Sequence, residues 1–107
     1  EFENNSRLFF EDPKTYDVRV LEKIKKKNPK KIIDYVIELC EKEIDPLKWK
    51  SLISEWNEEH KYSFGIIMQS LRLAIVGNLS GPDLFFICSI LEKDVTLERL
   101  KKFKPNL

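Results

Sequence analysis

Arg72 is the charged residue whose place in the sequence is least expected, because it lies within the mainly apolar stretch 66–76. A guanidinium in such a stretch must reach water, an acidic partner or a ligand. Gln69 lies three residues earlier and shares the face of Arg72 if the stretch is helical. The two side chains then offer several hydrogen-bond donors and one acceptor, which suits the edges of unstacked RNA bases. A structural ion pair of Arg72 is the alternative.

A second candidate contact is the pair Gly81–Pro82, which follows this stretch after a short loop. The simplest interpretation is a helix start, since Pro at the first helical position sacrifices no hydrogen bond. A helix start also presents free N–H groups. Because Gly81 has no side chain and Pro82 is rigid, a flat base could approach the backbone closely there.

A run of lysines without an intervening acid occupies residues 23–31. Lys26, Lys27, Lys30 and Lys31 are the candidate phosphate contacts within it. A solvated surface is the alternative, because such runs are common and define no geometry.

No pattern for a catalytic site is found. The sequence lacks a nucleophile spaced with a base, a metal-ligand cluster and a phosphate-binding loop, so neither a catalytic residue nor a cofactor is predicted. His60 is the single histidine, and it receives no role between Glu59 and Lys61. Cys40 and Cys88 are far apart within apolar patterns, which predicts buried thiols in a reducing compartment.

Apolar residues recur at helical spacing along most of the chain, and no segment has the alternation of a strand. We predict a first helix over about 16–27 capped by Thr15, and a second starting at Asn28–Pro29. A third should open at Asp45–Pro46, and the buried central helix should cover Phe64–Val76 and end at Gly77.

Two further helices complete the prediction. One follows Gly81–Pro82, and the last covers about 95–103 behind an Asp94 cap. Before the first helix, 8–10 should form a packed arm followed by a turn. The fold class is therefore all-α, a compact bundle or superhelical array of about five to six short helices.

Length and charge limit the possible functions. The chain has 107 residues, enough for one domain, and a net charge of +1, which provides no global field toward nucleic acid or an anionic membrane. No apolar run could span a bilayer and no leader opens the chain, so no membrane partner is expected. The start at Glu1 without Met suggests a piece of a longer protein.

Residues 71–77 read Leu-Arg-Leu-Ala-Ile-Val-Gly, and after a short loop residues 81–85 read Gly-Pro-Asp-Leu-Phe. This joint pattern closely resembles the C-terminal region of bacterial glutamyl-tRNA synthetases. The similarity continues into 91–100 and also covers 9–13 with Tyr16 and the region of Trp56. Ordered joint matches are far more specific than any one element.

The resemblance implies a single C-terminal anticodon-binding domain over 1–107, with the catalytic domain absent. It implies that Gln69, Arg72, Gly81, Pro82 and Leu84 contact the splayed bases of the tRNA(Glu) anticodon loop, with apolar packing from Leu84. Many relatives have Pro at position 70 and Gly at position 92, where this chain has Ser70 and Glu92.

The resemblance also implies that the parent is a cytoplasmic, monomeric class I ligase that uses ATP and Mg²⁺ in upstream catalytic domains of the same chain. The ATP-binding signatures of that class are absent here, so we expect this piece alone to be non-catalytic. The alternative function is a non-catalytic helical protein-interaction module with an exposed apolar groove.

Overall fold

Residues 15–79 and 81–107 are described by the computed structural model. Within them lie six α-helices and no strand: α1 (Val18–Lys25), α2 (Lys30–Glu41), α3 (Trp49–His60), α4 (Phe64–Val76), α5 (Leu84–Ile90) and α6 (Lys93–Phe103). Short 3₁₀ turns cover Pro46–Lys48 and Lys104–Asn106. The all-α prediction is confirmed, and the predicted arm at 8–10 lies outside the described residues.

Helix α4 is the centre of the packing, as its apolar character on most sides predicts. It contacts α1, α2 and α6, and α2 and α6 also contact each other. The radius of gyration is 13.0 Å, about the value for a compact domain of 100 residues. No helix in the described part of the chain is long and apolar enough to cross a membrane.

Helix α1 runs antiparallel to α4, and two hydrogen bonds hold its ends. At one end the N–H of Asp17 donates to the carbonyl of Gly77 at 3.1 Å. At the other end the hydroxyl of Tyr62 donates to the carbonyl of Asn28 at 2.6 Å. The turn between α1 and α2 therefore lies beside the beginning of α4, while the start of α1 lies beside its end.

Two predicted helix starts at the N-terminal side were wrong. Asp17, not Thr15, caps α1, since its carboxylate accepts hydrogen bonds from the N–H groups of Arg19 and Val20. Asn28 does not cap α2 with its side chain. Its φ is 56°, a left-handed conformation that Asn tolerates, and its N–H closes the end of α1 on the Lys25 carbonyl.

Two further starts lie two residues from their predicted positions. Helix α5 begins at Leu84 because Asp83 accepts the Phe86 N–H at 3.0 Å, so Gly81–Pro82 is a loop and not a helix start. Helix α6 begins at Lys93, which places Asp94 in its first turn instead of at the cap. The Asp45 cap and the Gly77 terminus are confirmed.

Candidate nucleic-acid interface

The structure brings Arg72 together with the loop that precedes α5. The Arg72 Nη1 donates a hydrogen bond of 2.7 Å to the carbonyl of Pro82. Burial lowers the pKa of the Arg72 guanidinium, and the carboxylate of Asp83 opposes that shift. Arg72 is only partly exposed, so its charge is held at the base of the loop instead of extending into solvent.

Gly81 fits this arrangement for two reasons. Its φ is +120°, a conformation that L side chains rarely adopt. A Cβ at this position would also lie 3.1 Å from the Arg72 Nη2. A side chain at position 81 would therefore crowd the guanidinium, which would have to shift by a few tenths of an ångström.

Substituting Ala for Gly81 is expected to lower the free energy of unfolding by about 1–2 kcal/mol, through backbone strain and crowding of Arg72. Thermal or urea unfolding measures this loss. The matched control is Gly65→Ala, because a Cβ on Gly65 meets no atom within 4 Å and Gly65 lies in the first turn of α4. The control should gain about 0.5–1 kcal/mol of helix stability. Equal effects of the two substitutions would contradict the fit of Gly81 to Arg72.

Gln69 lies one turn before Arg72 on α4, as predicted, and is half-buried. Its Oε1 is covered by protein and has no hydrogen-bond partner among the described residues. Rotation of the amide would exchange this acceptor for a donor. Gln69 is thus near enough to act with Arg72, but a ligand would have to uncover its polar end.

The structure corrects the expectation that Leu84 packs against a base. Its side chain is 1% exposed and belongs to the hydrophobic core. Because α5 begins at Leu84 and not at Pro82, this side chain faces the core in the first turn.

The four candidate lysines, Lys26, Lys27, Lys30 and Lys31, are all exposed around the turn between α1 and α2. That turn lies beside the beginning of α4, where Tyr62 bonds Asn28. From Phe64 to Arg72 the rise along α4 is about 12 Å. The structure therefore does not gather the lysines with Arg72, and a ligand that touches both must follow the length of α4.

Sequence reasoning gave no role to Arg99, which lies on α6. The residue is 1% exposed, and its Nη1 donates at 2.9 Å to the Ile75 carbonyl. That carbonyl belongs to the last turn of α4, where no intrahelical donor follows. Arg99 thus supports the helix end that carries Arg72.

A family model described as "Anticodon binding domain" matches residues 1–104 of the chain. The chain belongs to the anticodon-binding domain family. It is 32% identical over 105 residues to a glutamate–tRNA ligase of Flavobacterium johnsoniae, covering 95% of this chain and 21% of the relative. The glutamate–tRNA ligase of Christiangramia forsetii is 30% identical over 110 residues, which cover 100% of this chain and 22% of that relative.

A third relative matches a shorter segment of the chain at a higher sequence identity. The glutamate–tRNA ligase of Prochlorococcus marinus (strain MIT 9312) is 46% identical over 55 residues, which is 51% of this chain and 12% of that protein. The chain spans about a fifth of the length of the first two relatives. No solved structure gives a significant match.

At two positions the sequence of this anticodon-binding domain differs from the pattern of the glutamyl-tRNA synthetases that it resembles. At Ser70 the hydroxyl donates at 2.7 Å to the Ile66 carbonyl, and α4 continues unbroken through Val76. At Glu92 the φ is −67°, a conformation that needs no Gly. Both residues are therefore compatible with the helices on which Arg72 and the loop depend.

The two cysteines of this domain are free and buried, as predicted. Burial raises the pKa of Cys40, and it raises the pKa of Cys88 to about 12. Both thiols are therefore protonated and unreactive near neutral pH. Within the described ranges, no group of three or more His, Cys, Asp or Glu residues could hold a metal ion.

His60 stacks on Trp56 with ring centroids 4.0 Å apart. Tyr35 and Tyr62 are also nearly parallel to the Trp56 ring, at 5.0 Å and 6.0 Å. Burial raises the pKa of Tyr62. Burial also raises the pKa of Tyr35, and the negative charges of Glu38 and Glu55 raise it further. These contacts give His60 a packing role at the end of α3.

Proposed function

We propose that this chain is the C-terminal anticodon-binding domain of a glutamate–tRNA ligase and that it holds the anticodon loop of tRNA(Glu). The observation that carries the proposal is the bond from Arg72 to the Pro82 carbonyl. This bond holds the guanidinium beside the loop, on the same surface, and the loop has no side chain at Gly81. The family match and the names of the relatives support the choice of RNA.

Binding at this surface would select the tRNA through a difference in binding affinity and not through a chemical step. Arg72 can donate several hydrogen bonds in a fixed fork, so one side chain can both hold the loop and meet a base edge. A good bidentate contact discriminates by about 1–3 kcal/mol in duplex recognition. Gly81 lets the base approach the backbone, and Pro82 keeps that backbone rigid.

Ligation of glutamate would take place in upstream catalytic domains of the same chain, in a monomeric cytoplasmic enzyme. ATP and Mg²⁺ would be held there, as the resemblance to glutamyl-tRNA synthetases implies. We assign no step of the ligation to the residues of this domain. Its contribution is the choice of tRNA.

The experiment that tests this function compares the anticodon stem-loop of tRNA(Glu) with the same stem carrying a scrambled loop. The 107-residue chain should bind the cognate loop more tightly, and its affinity should fall steeply as salt rises. A protein-interaction module with an apolar groove is the rival, and its partner binding would barely respond to salt. Equal binding of both loops, or none, would refute base reading by this chain.

Replacing Lys26, Lys27, Lys30 and Lys31 by Gln is expected to weaken binding of cognate and scrambled loops by the same factor. These side chains are exposed and far along α4 from Arg72, so they can contact phosphates but not the bases beside Gly81. The slope of log affinity against log salt should fall by about 0.7–0.9 for each phosphate that the protein no longer neutralises. A changed preference for the cognate loop would contradict this assignment.

A further inference from the structure

Phe86 is an exposed aromatic residue on a helix whose other large residues are mostly buried. Its side chain is 52% exposed, whereas Leu84, Phe85 and Ile87 are 1%, 6% and 0% exposed. Single exposed apolar residues are common on proteins. Exposure alone therefore does not mark Phe86 as a binding residue; its position beside the loop that Arg72 holds does.

That position is the first turn of α5, directly after the loop that Arg72 holds. The Phe86 N–H donates to Asp83 Oδ2 at 3.0 Å, which fixes Phe86 in the first turn, and residues three apart lie on the same side of a helix. On the other side of the same loop, Pro82 accepts from Arg72. Arg72 and Phe86 thus border the Gly81–Asp83 loop from α4 and from α5.

We propose that the Phe86 ring is a stacking platform for an unstacked base of the RNA loop bound at Arg72. This inference rests on the proposed function and extends it to a residue outside the set Gln69, Arg72, Gly81, Pro82 and Leu84. An unstacked base needs an apolar surface for its face as well as donors for its edge. Arg72 supplies the donors, and Phe86 supplies the surface.

The charges around Phe86 favour a base over a phosphate at this point. The Asp83 carboxylate is one turn away and would repel a phosphate. The Ser89 hydroxyl is turned back onto the Phe86 carbonyl at 2.6 Å, and Ile90, 43% exposed, follows on the same face. The outer face of α5 beside the loop is thus apolar, which suits the flat face of any base.

The test uses the anticodon stem-loop with 2-aminopurine, whose emission is quenched by stacking, placed at each loop position in turn. Phe86→Ala should lower the affinity of the 107-residue chain for this RNA about tenfold and abolish the quenching at one loop position. Phe86→Trp should keep both the affinity and the quenching. Phe86→Leu should lose the quenching while keeping an apolar side chain, which separates stacking from simple apolar contact.

The matched control is Phe64→Ala. Phe64 is a second exposed phenylalanine, 46% exposed, but it starts α4 and lies near the ammonium of Lys50, 6.0 Å from its ring centre. Its loss should change affinity less than twofold. Circular dichroism of every variant verifies that the helices remain.

The outcomes separate the two proposals. If the unsubstituted chain shows no preference for the cognate loop, the proposed function fails and the role of Phe86 fails with it. If that preference is present but Phe86→Ala leaves affinity and quenching unchanged, the proposed function stands and the stacking role is wrong. A Phe86→Ala variant that binds RNA normally but alters self-association in sedimentation would assign the face to a protein contact instead.

Discussion

The substitution Arg99→Ala is expected to lower the free energy of unfolding by about 3 kcal/mol. The residue is 1% exposed and donates to the Ile75 carbonyl at 2.9 Å. Hydrogen bonds to charged groups contribute about 1.5–3 kcal/mol, and truncation of a buried side chain adds a cavity. Urea unfolding followed by circular dichroism measures the change.

Arg99→Met separates the two causes of that loss. Met fills much of the volume of Arg and has no charge to bury, so the loss should be about half of that for Ala. Lys102→Ala on the same helix is the control, because Lys102 is exposed, and it should change stability by less than about 0.5 kcal/mol. A loss below about 1 kcal/mol for Arg99→Ala would show that the end of α4 does not depend on Arg99.

The substitution Arg72→Ala should abolish most of the preference for the cognate loop, a loss of about tenfold or more in relative affinity. The reason is twofold: the fork proposed to read a base is removed, and the Pro82 carbonyl loses its 2.7 Å donor. Competition between cognate and scrambled stem-loops, measured by fluorescence anisotropy, gives the ratio.

Arg72→Lys distinguishes reading from simple charge. An ammonium keeps the positive charge but cannot make the planar bidentate contact, so this variant should keep the salt dependence and lose the cognate preference. Lys102→Ala removes one exposed charge on α6 and should keep the preference. If Arg72→Lys retains the full preference, Arg72 acts as a point charge and the base-reading role is wrong.

The sequence predicted most of the fold because its signals are local. Gly77 ends α4 with a φ of 90°, a conformation that favours Gly. Asp45 caps its turn by accepting from the Leu47 N–H. Such features depend on two to four neighbouring residues, and apolar spacing then places each helix against the core.

The errors came where two nearby residues could both begin a helix. Asn28–Pro29 and Gly81–Pro82 have the composition of helix starts. In the structure, Asn28 closes the previous helix, and Asp83 supplies the cap that the Gly–Pro pair was expected to provide. Local composition cannot decide between adjacent caps, because the choice is set by packing of the whole helix.

The candidate site was predictable only in part. The pair Arg72 and Gly81 comes together as the joint pattern implies. The buried position of Arg99 was not predictable, because a basic residue in an amphipathic helix carries no sign of which neighbouring helix it will lie beneath. The exposure of Phe86 also depends on which face of α5 meets the core, which follows from tertiary packing.

Base reading in the tRNA(Glu) anticodon loop is the role proposed for Arg72 and the Gly81–Asp83 loop. Its most direct test is NMR shift mapping of the 107-residue chain at low salt, titrated with the cognate stem-loop and with the scrambled loop. Shifts with the cognate loop are expected to cluster at 69–72 and 81–86 and to weaken with the scrambled loop. Shifts confined to 23–31 and equal for both loops would contradict it, because binding would then follow the lysines alone.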